Sequence, residues 1–266
     1  MLLLLIGMRS NKGMKFNIVT IFPNELSQSL SYGVIGNAIR DNIIKINYFD
    51  PRIHADNKHD SIDGKPYGGG PGMVMQARPV LESIEQARDG NSDVPVFFLS
   101  PQGKRFNQEK AKELSELDQI IIVSSRYEGL DQRAIDQTDN HEEISIGDFV
   151  LSGGETACAV VIDAVARLIP GVLGDDESVI EESFSNGLLE YPHYTRPSEV
   201  NGQDVPGILL SGDHEKIKEW RKIQSLRNTF IKRPDLIDES KLTDDEIKVI
   251  DDIKNCLLYT SDAADE

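Results

Sequence analysis

ISIGDFVLSGGE, Ile144 to Glu155, opens as a strand and closes in a tight glycine turn, and the apolar run Thr156 to Ile169 behind it is long enough for a helix. A strand–turn–helix corner of this kind is where α/β proteins hold ligands. Upstream the same pattern occurs twice more. Val94 to Leu99 (VPVFFL) reads as a strand running into Ser100-Pro101-Gln102-Gly103, and Gln119 to Val123 (QIIIV) as a strand running into Ser124-Ser125-Arg126-Tyr127-Glu128-Gly129. Helical spacing fills the gaps, over Gln108 to Leu117 and Asp131 to Gln137. Strands alternating with helices predict a mostly parallel sheet. All three loops then lie at its carboxyl edge, outside which ligands bind. One glycine turn would merely close a tight connection. Three in series, with Ser, Tyr, Glu and Asp among them, predict a site.

The segments before this core fit the same α/β pattern. Phe16 to Phe22 (FNIVTIF) and Ile43 to Phe49 (IIKINYF) read as strands, with short helices from Glu25 and over Gly36 to Arg40 between them. Pro79 to Arg88 has helical spacing, with Pro79 near its start. Asp50 to Gly72 has no periodicity and ends in a Gly- and Pro-rich run, PYGGGPGM. A loop this long inside a compact domain is usually functional or disordered. Asp56, His59, Asp60 and Asp63 are metal-ligand types, but their irregular spacing favours a solvated loop over a metal site. Neither GxGxxG nor GxxxxGK[ST] occurs between strand and helix, which disfavours a dinucleotide site or a P-loop.

With 39% hydrophobic and 27% charged residues, the 266-residue chain can bury a core in one or two domains. Asp+Glu 45 against Lys+Arg 28 leaves a net charge of −17, against indiscriminate adhesion to nucleic acid or membranes. Its two cysteines, Cys158 and Cys256, form no CxxC and no His/Cys cluster, so neither a disulfide framework nor a structural zinc is expected, and a reducing, cytoplasmic setting fits. Leu2 to Ile6 is an apolar run too short for a membrane span. Residues 1–13 read as an extension ahead of a natural start at Met14, and 256–266 as a sequence scar.

Pro170-Gly171 stops the helix, and Val172 to Glu182 reads as a linker of small and acidic residues. Beyond it the charge balance reverses. Asp213 to Arg233 places Ile217, Trp220, Ile223, Leu226 and Phe230 at helical spacing, with seven basic side chains against three acidic ones. A basic face in an otherwise acidic chain points to phosphate backbone, although such runs are usually solvated helix surface. Thr243 to Lys254 reads as a last helix.

PYGGGPGM, LSPQG, RYEGLD, SIGDFVLSGGE, RLIPGVLG, SFSNGLLEYPHYTRP and LLSGDHEKIKEWR, in this order across Met14 to Ile237, together resemble the bacterial tRNA (guanine-N1)-methyltransferases. The resemblance implies a SPOUT-class α/β domain with a mostly parallel sheet and a deep trefoil knot at 14–172, a linker at 173–182 and a small all-helical tRNA-binding domain at 183–255. It implies a homodimer that transfers a methyl group from S-adenosylmethionine to N1 of the guanosine 3′ of the anticodon (position 37). The tRNA partner would be gripped at its anticodon arm by the basic helix and the PHYTRP segment. A magnesium requirement is implied by the resemblance alone, with no metal ligands assigned. The cofactor positions it implies are Leu99, Ser100 and Pro101; Ser125, Tyr127, Glu128 and Gly129; and Ser145, Ile146, Gly147, Asp148, Phe149, Val150, Leu151, Gly153 and Gly154.

The chemistry requires two further groups. Guanine N1 must lose a proton before it attacks, which calls for a general base. Charge then builds on O6, where a fixed cation stabilises it. The resemblance gives the second role to Arg167 and the first to the residue before Ser183-Phe184. That residue is Glu182, where the family carries Asp. The extra methylene moves the carboxylate by about 1 Å, a shift that matters for proton transfer. Glu182 thus also motivates an alternative, a knotted RNA-binding protein with weak or no catalysis. A third possibility is a phosphate-ligand enzyme using the Gly153-Gly154 corner. Ser125 replaces a family glycine and is expected to fit if its φ stays negative. Phe149 replaces an aromatic that carries a hydroxyl.

Overall fold

The computed structural model describes residues 13–174 and 182–262. The expectations for Leu2 to Ile6 and for most of the 173–182 linker lie outside them. The chain divides into two compact units, 1–174 and 175–266.

The first unit is an α/β layer structure. Its elements are β1 (Met14–Val19), α1 (Pro23–Ser29), α2 (Gly33–Arg40), β2 (Ile44–Phe49), β3 (Asp63–Gly64), β4 (Val74–Met75), α3 (Ala77–Arg88), β5 (Val96–Arg105), α4 (Gln108–Ser115), β6 (Gln119–Ser124), α5 (Gln132–Asp136), β7 (His141–Ser145) and α6 (Gly154–Ala166). Five strands form one sheet in the order β2-β1-β6-β5-β7, every pair parallel. The apolar runs that mark these strands are continuous because helices cover both faces. Alternation then splits each run. Phe97, Leu99, Ile120 and Ile122 join a cluster that includes α1, α2, α4 and α6. Val96, Phe98, Ile121 and Val123 face the opposite way, onto α3 and Ala134 of α5. Burying an isoleucine side chain such as these stabilises the fold by about 1.5–3 kcal/mol.

The long loop between β2 and α3 is not featureless. A 3-10 turn at Pro51–His54 starts it, and β3 pairs with β4 antiparallel. Ile62 and Met75 anchor it in the second cluster. Two apolar residues are enough to fix such a loop, yet they are too few to give a period.

SPQG is not a simple loop after a finished strand. β5 continues through it to Arg105, and its register against β7 shifts, so that Leu99 and Lys104 both pair with Ile144. Residues 100–103 are therefore extra on one side of the ladder, a bulge that bends the strand and re-aims its side chains.

The second unit contains β8 (Glu199–Val200), β9 (Gln203–Asp204), α7 (His214–Lys232) and α8 (Asp244–Asp262). It is not all-helical: β8 and β9 form a small antiparallel hairpin around Asn201-Gly202, both at positive φ. Asp213 caps α7, its side chain accepting from the Lys216 N–H. α8 passes the expected end at Lys254 and runs to Asp262, so helical backbone enters the stretch read as a scar.

Candidate functional site

The carboxyl ends of β5, β6 and β7 build one cleft. Their strands are neighbours and parallel, so the loops that leave them emerge on the same edge. The lining comprises Leu99, Ser100 and Pro101 from the bulge, Ser125, Tyr127, Glu128 and Gly129 after β6, Ile144 through Gly147, Phe149, Val150 and Leu151 after β7, and Gly153, Gly154 and Ala157 where α6 begins. Three sequence stretches separated by tens of residues thus meet in one place. Of the expected cofactor positions, only Asp148 lies outside this lining. Its carboxylate instead pairs with Arg105 at 3.1 Å. Ile144 and Ala157 were not expected. Ala157 lies one helical turn inside α6, and its small side chain was the only hint of a surface close to a ligand.

Backbone hydrogen bonds fix these loops. The Gly154 N–H donates to the Ser125 carbonyl at 2.9 Å, so the first N–H of α6 is already committed, which weakens the case for an anion at this corner. Ser145 Oγ donates to the Gly147 carbonyl and accepts the Gly147 N–H, at 3.0 and 3.2 Å. The Glu128 N–H donates to the Met73 carbonyl, and the Met75 N–H donates to the Gly129 carbonyl, both at 2.9 Å. These two bonds tie the glycine-rich loop to the site. Tyr127 adopts φ +61° and Ser125 is not among the positive-φ residues, so the serine carries no backbone penalty. The strain sits instead at a half-exposed tyrosine on the rim.

The cleft is apolar along Leu99, Ile144, Ile146, Val150 and Leu151, and Ser100, Ser125, Tyr127, Glu128 and Ser145 add polar residues to its lining. A largely apolar slot with a few polar groups at its edge can take a flat heterocycle and fix its orientation. Behind it Cys158 is fully buried, and burial pushes its thiol up to about 12, which makes it a packing residue rather than a nucleophile.

A second cleft, of about 780 Å³, is lined by Arg126 and Glu155, the chain neighbours of Ser125 and Gly154. Arg167 borders it from the C-terminal end of α6, with Asp163 one turn earlier and Tyr32, Gly33 and Val34 at the start of α2 also in the lining. Glu182 belongs to the second unit. Its carbonyl accepts from the Ser185 N–H at 3.2 Å, and Ser183 Oγ accepts from the Glu190 N–H at 3.0 Å, so SFSNGLLE folds back on itself as a tight turn.

Tyr191 and the PHYTRP segment after it join α7 through rings. Arg221 lies over Tyr191 at 4.7 Å, Tyr191 and His193 are 4.9 Å apart, and Tyr194 and Trp220 are 6.4 Å apart. The basic face of α7 is partly neutralised, since Lys216 pairs with Asp213 and Lys222 with Glu246. In the long loop, Asp56 pairs with Arg78 and Asp63 accepts from Ser61 Oγ at 2.7 Å. Among the described residues no group of three His, Cys, Asp or Glu is arranged to hold a metal, and no helix is long and apolar enough to cross a membrane.

A family model described as tRNA (Guanine-1)-methyltransferase TrmD matches residues 14–239. The tRNA (guanine-N(1)-)-methyltransferase of Buchnera aphidicola subsp. Schizaphis graminum is 51% identical over 240 residues, spanning 90% of this chain and 91% of that protein. Its namesake from Pseudoalteromonas atlantica is 46% identical over 244 residues, spanning 91% and 92%. That from Actinobacillus succinogenes is 45% identical over 243 residues, spanning 91% and 99%.

Proposed function

Because the chain belongs to the tRNA (guanine-1)-methyltransferase family, we propose that it transfers a methyl group from S-adenosylmethionine to N1 of the guanosine just 3′ of the anticodon of tRNA. One observation carries the proposal: the loops after β5, β6 and β7 line one largely apolar cleft, inside a chain whose family match runs from 14 to 239.

That cleft suits the adenosyl part of the donor. Leu99, Ile144, Ile146 and Leu151 offer apolar walls. Backbone groups of the three loops supply donors and acceptors for a purine edge, and Gly129, where an added Cβ would meet nothing, leaves room for close approach. When bound, the donor supplies an electrophilic methyl group on sulfur. The protein's own work is to bring guanine N1 in line and to manage its proton. Glu182 accepts the N1 proton as general base. Arg167 offsets the charge that develops on O6.

The remaining parts of the proposal follow the family. The sheet order supports a trefoil knot, since β7 returns to lie beside β5 rather than beside β6. A homodimer with shared sites is supported by the exposed apolar Tyr32, Val34 and Val160 that border the Arg167 cleft. The anticodon arm is gripped by α7 and the aromatic rings of the PHYTRP segment, with the cytoplasm as the place of action. Any magnesium is held jointly with RNA rather than by a protein cage.

The test uses the purified protein, S-adenosylmethionine and an unmodified tRNA with guanosine 3′ of its anticodon, followed by nucleoside mass spectrometry. The expected product is 1-methylguanosine at that position. Intact donor binding without product would overturn the enzymatic reading and leave an RNA-binding protein.

A further inference from the structure

Arg126 and Glu155 meet at 2.8 Å, Nε to Oε2, between the loop after β6 and the first turn of α6. Glu155 is only 8% exposed although it is a carboxylate. Its other oxygen accepts from Thr20 Oγ1 at 3.0 Å, at the end of β1. Thr20 Oγ1 in turn accepts the Phe22 N–H at 3.0 Å. Arg126 donates a second time, from Nη1 to the Ser152 carbonyl at 3.2 Å, and its guanidinium lies over the Phe22 ring at 4.5 Å. A Cβ at Gly153 would collide with the Arg126 side chain. This glycine is therefore needed to let the guanidinium cross between the two loops.

The hydrogen bonds of this arginine join two segments whose chain neighbours line the proposed donor cleft. Ser125 and Tyr127, on either side of Arg126, line it, as do Leu151, Gly153 and Gly154 beside Ser152 and Glu155. Arg126 itself is absent from this lining and borders the second cleft, the one that contains Arg167. We propose that Arg126 is a positioning residue for the methyl donor: held by Glu155, which Thr20 braces in turn, it fixes the spacing between the loop after β6 and the turn into α6, and so sets the shape of the donor cleft from behind. A planar guanidinium is suited to this because it directs two donors to two loops at fixed angles, which an ammonium cannot do.

The proposal rests on the assignment of that cleft to S-adenosylmethionine, and the experiment separates the two. Donor affinity is measured by calorimetry for the full-length protein and for Arg126→Lys, Arg126→Ala, Glu155→Gln and the Arg126→Ala/Glu155→Gln double variant, well below each melting temperature. No heat of binding with the unchanged protein would overturn the cleft assignment itself. With that binding present, Arg126→Lys is expected to raise the donor Kd about tenfold or more, because misplacing binding groups by an ångström has effects of this size. The double variant is expected to lose less than the sum of the two single changes, since the pair acts as a unit. A purely structural pair would lower the melting temperature and leave the Kd of the folded variants unchanged. That result overturns the proposal. If Arg126→Ala does not fold, Arg126→Lys and Glu155→Gln, which preserve most of the volume, carry the decision.

Discussion

The Gly154 N–H donates to the carbonyl of Ser125 at 2.9 Å, so the first residue of α6 is bonded directly to the loop that leaves β6. The approach is close: a Cβ on Gly154 would lie 2.8 Å from the Ser124 Cα and 3.0 Å from the Ser125 nitrogen. Both neighbours are backbone and cannot swing aside. Gly154→Ala is expected to cost about 1–3 kcal/mol, the range for overpacking a tight site. It is also expected to weaken donor binding by opening the cleft. Thermal unfolding and calorimetry check the two effects together; an alanine variant that melts like the parent would refute the close packing.

Glu182 is the carboxylate on which the proposed chemistry turns. Removing a general base slows a reaction by about 10²–10⁴-fold. Glu182→Ala is expected to lose kcat in this range, measured at saturating donor, with tRNA affinity changed only a few-fold. Glu182→Asp is expected to retain activity. Arg167→Ala should reduce kcat with donor affinity intact, because its role begins only as charge builds on O6. Near-parental turnover by Glu182→Ala would reassign the base.

The first unit also carries a pH-sensitive brace. Lys110 lies 2.7 Å from Glu142 and 2.9 Å from Glu113. Burial pushes the Glu142 carboxyl up, but the Lys110 hydrogen bond and the charges of Lys110 and Lys104 together outweigh it and hold the group below its ordinary 4.5. Its contribution is present above that ordinary value and is lost as pH falls through the lower folded value. Lys110 is the mirror case: burial lowers it, Glu142 and Glu113 outweigh burial, and it stands above its ordinary 10.5. That contribution is lost only as pH rises through the raised value. Glu142→Gln is expected to cost about 1 kcal/mol at neutral pH. The difference from the parent should shrink in acid unfolding titrations as pH drops below the carboxylate range.

Cys158 has no exposed surface and a thiol raised by burial to about 12. Only the thiolate is alkylated at a useful rate. In a Cys256→Ser background, Cys158 is expected to react only when the first unit opens, so its labelling rate should rise with denaturant in step with unfolding. Rapid labelling of the native protein would contradict the burial.

On α7, Lys218 and Arg227 extend the basic face beyond the pairs at Lys216 and Lys222. If that face meets tRNA phosphates, Lys218→Ala and Arg227→Ala should each weaken tRNA binding and reduce the slope of log K against log salt by about 1. Donor affinity should not change, and an unaltered slope would remove α7 from the interface.

Most of the regular elements of the first unit were legible beforehand. QIIIV and VPVFFL read as buried strands because their apolar runs are short and β-branched or aromatic, and their neighbours read as helices from spacing alone. The cleft was foreshadowed by three polar, glycine-bearing strand ends. The extension of β5 to Arg105 was not, because Ser100-Pro101-Gln102-Gly103 has turn composition and a bulge keeps that composition inside a strand. The β8–β9 hairpin was missed because two-residue strands have no period, although Asn201-Gly202 is a hairpin signal.

By itself the sequence determined which segments are strands and helices, which faces they bury, and that three loops end in ligand-type residues. These properties are local: periodicity and turn chemistry act within a few residues. Only the tertiary structure decided that β7 lies beside β5, and therefore that Leu99, Ser125 and Gly154 border one cleft. It also decided the partners of Glu155, which are 29 and 135 residues away in the chain. A period records that a face is buried but carries no label for what covers it. Strand neighbours and buried ion pairs are chosen by packing and desolvation across the whole domain.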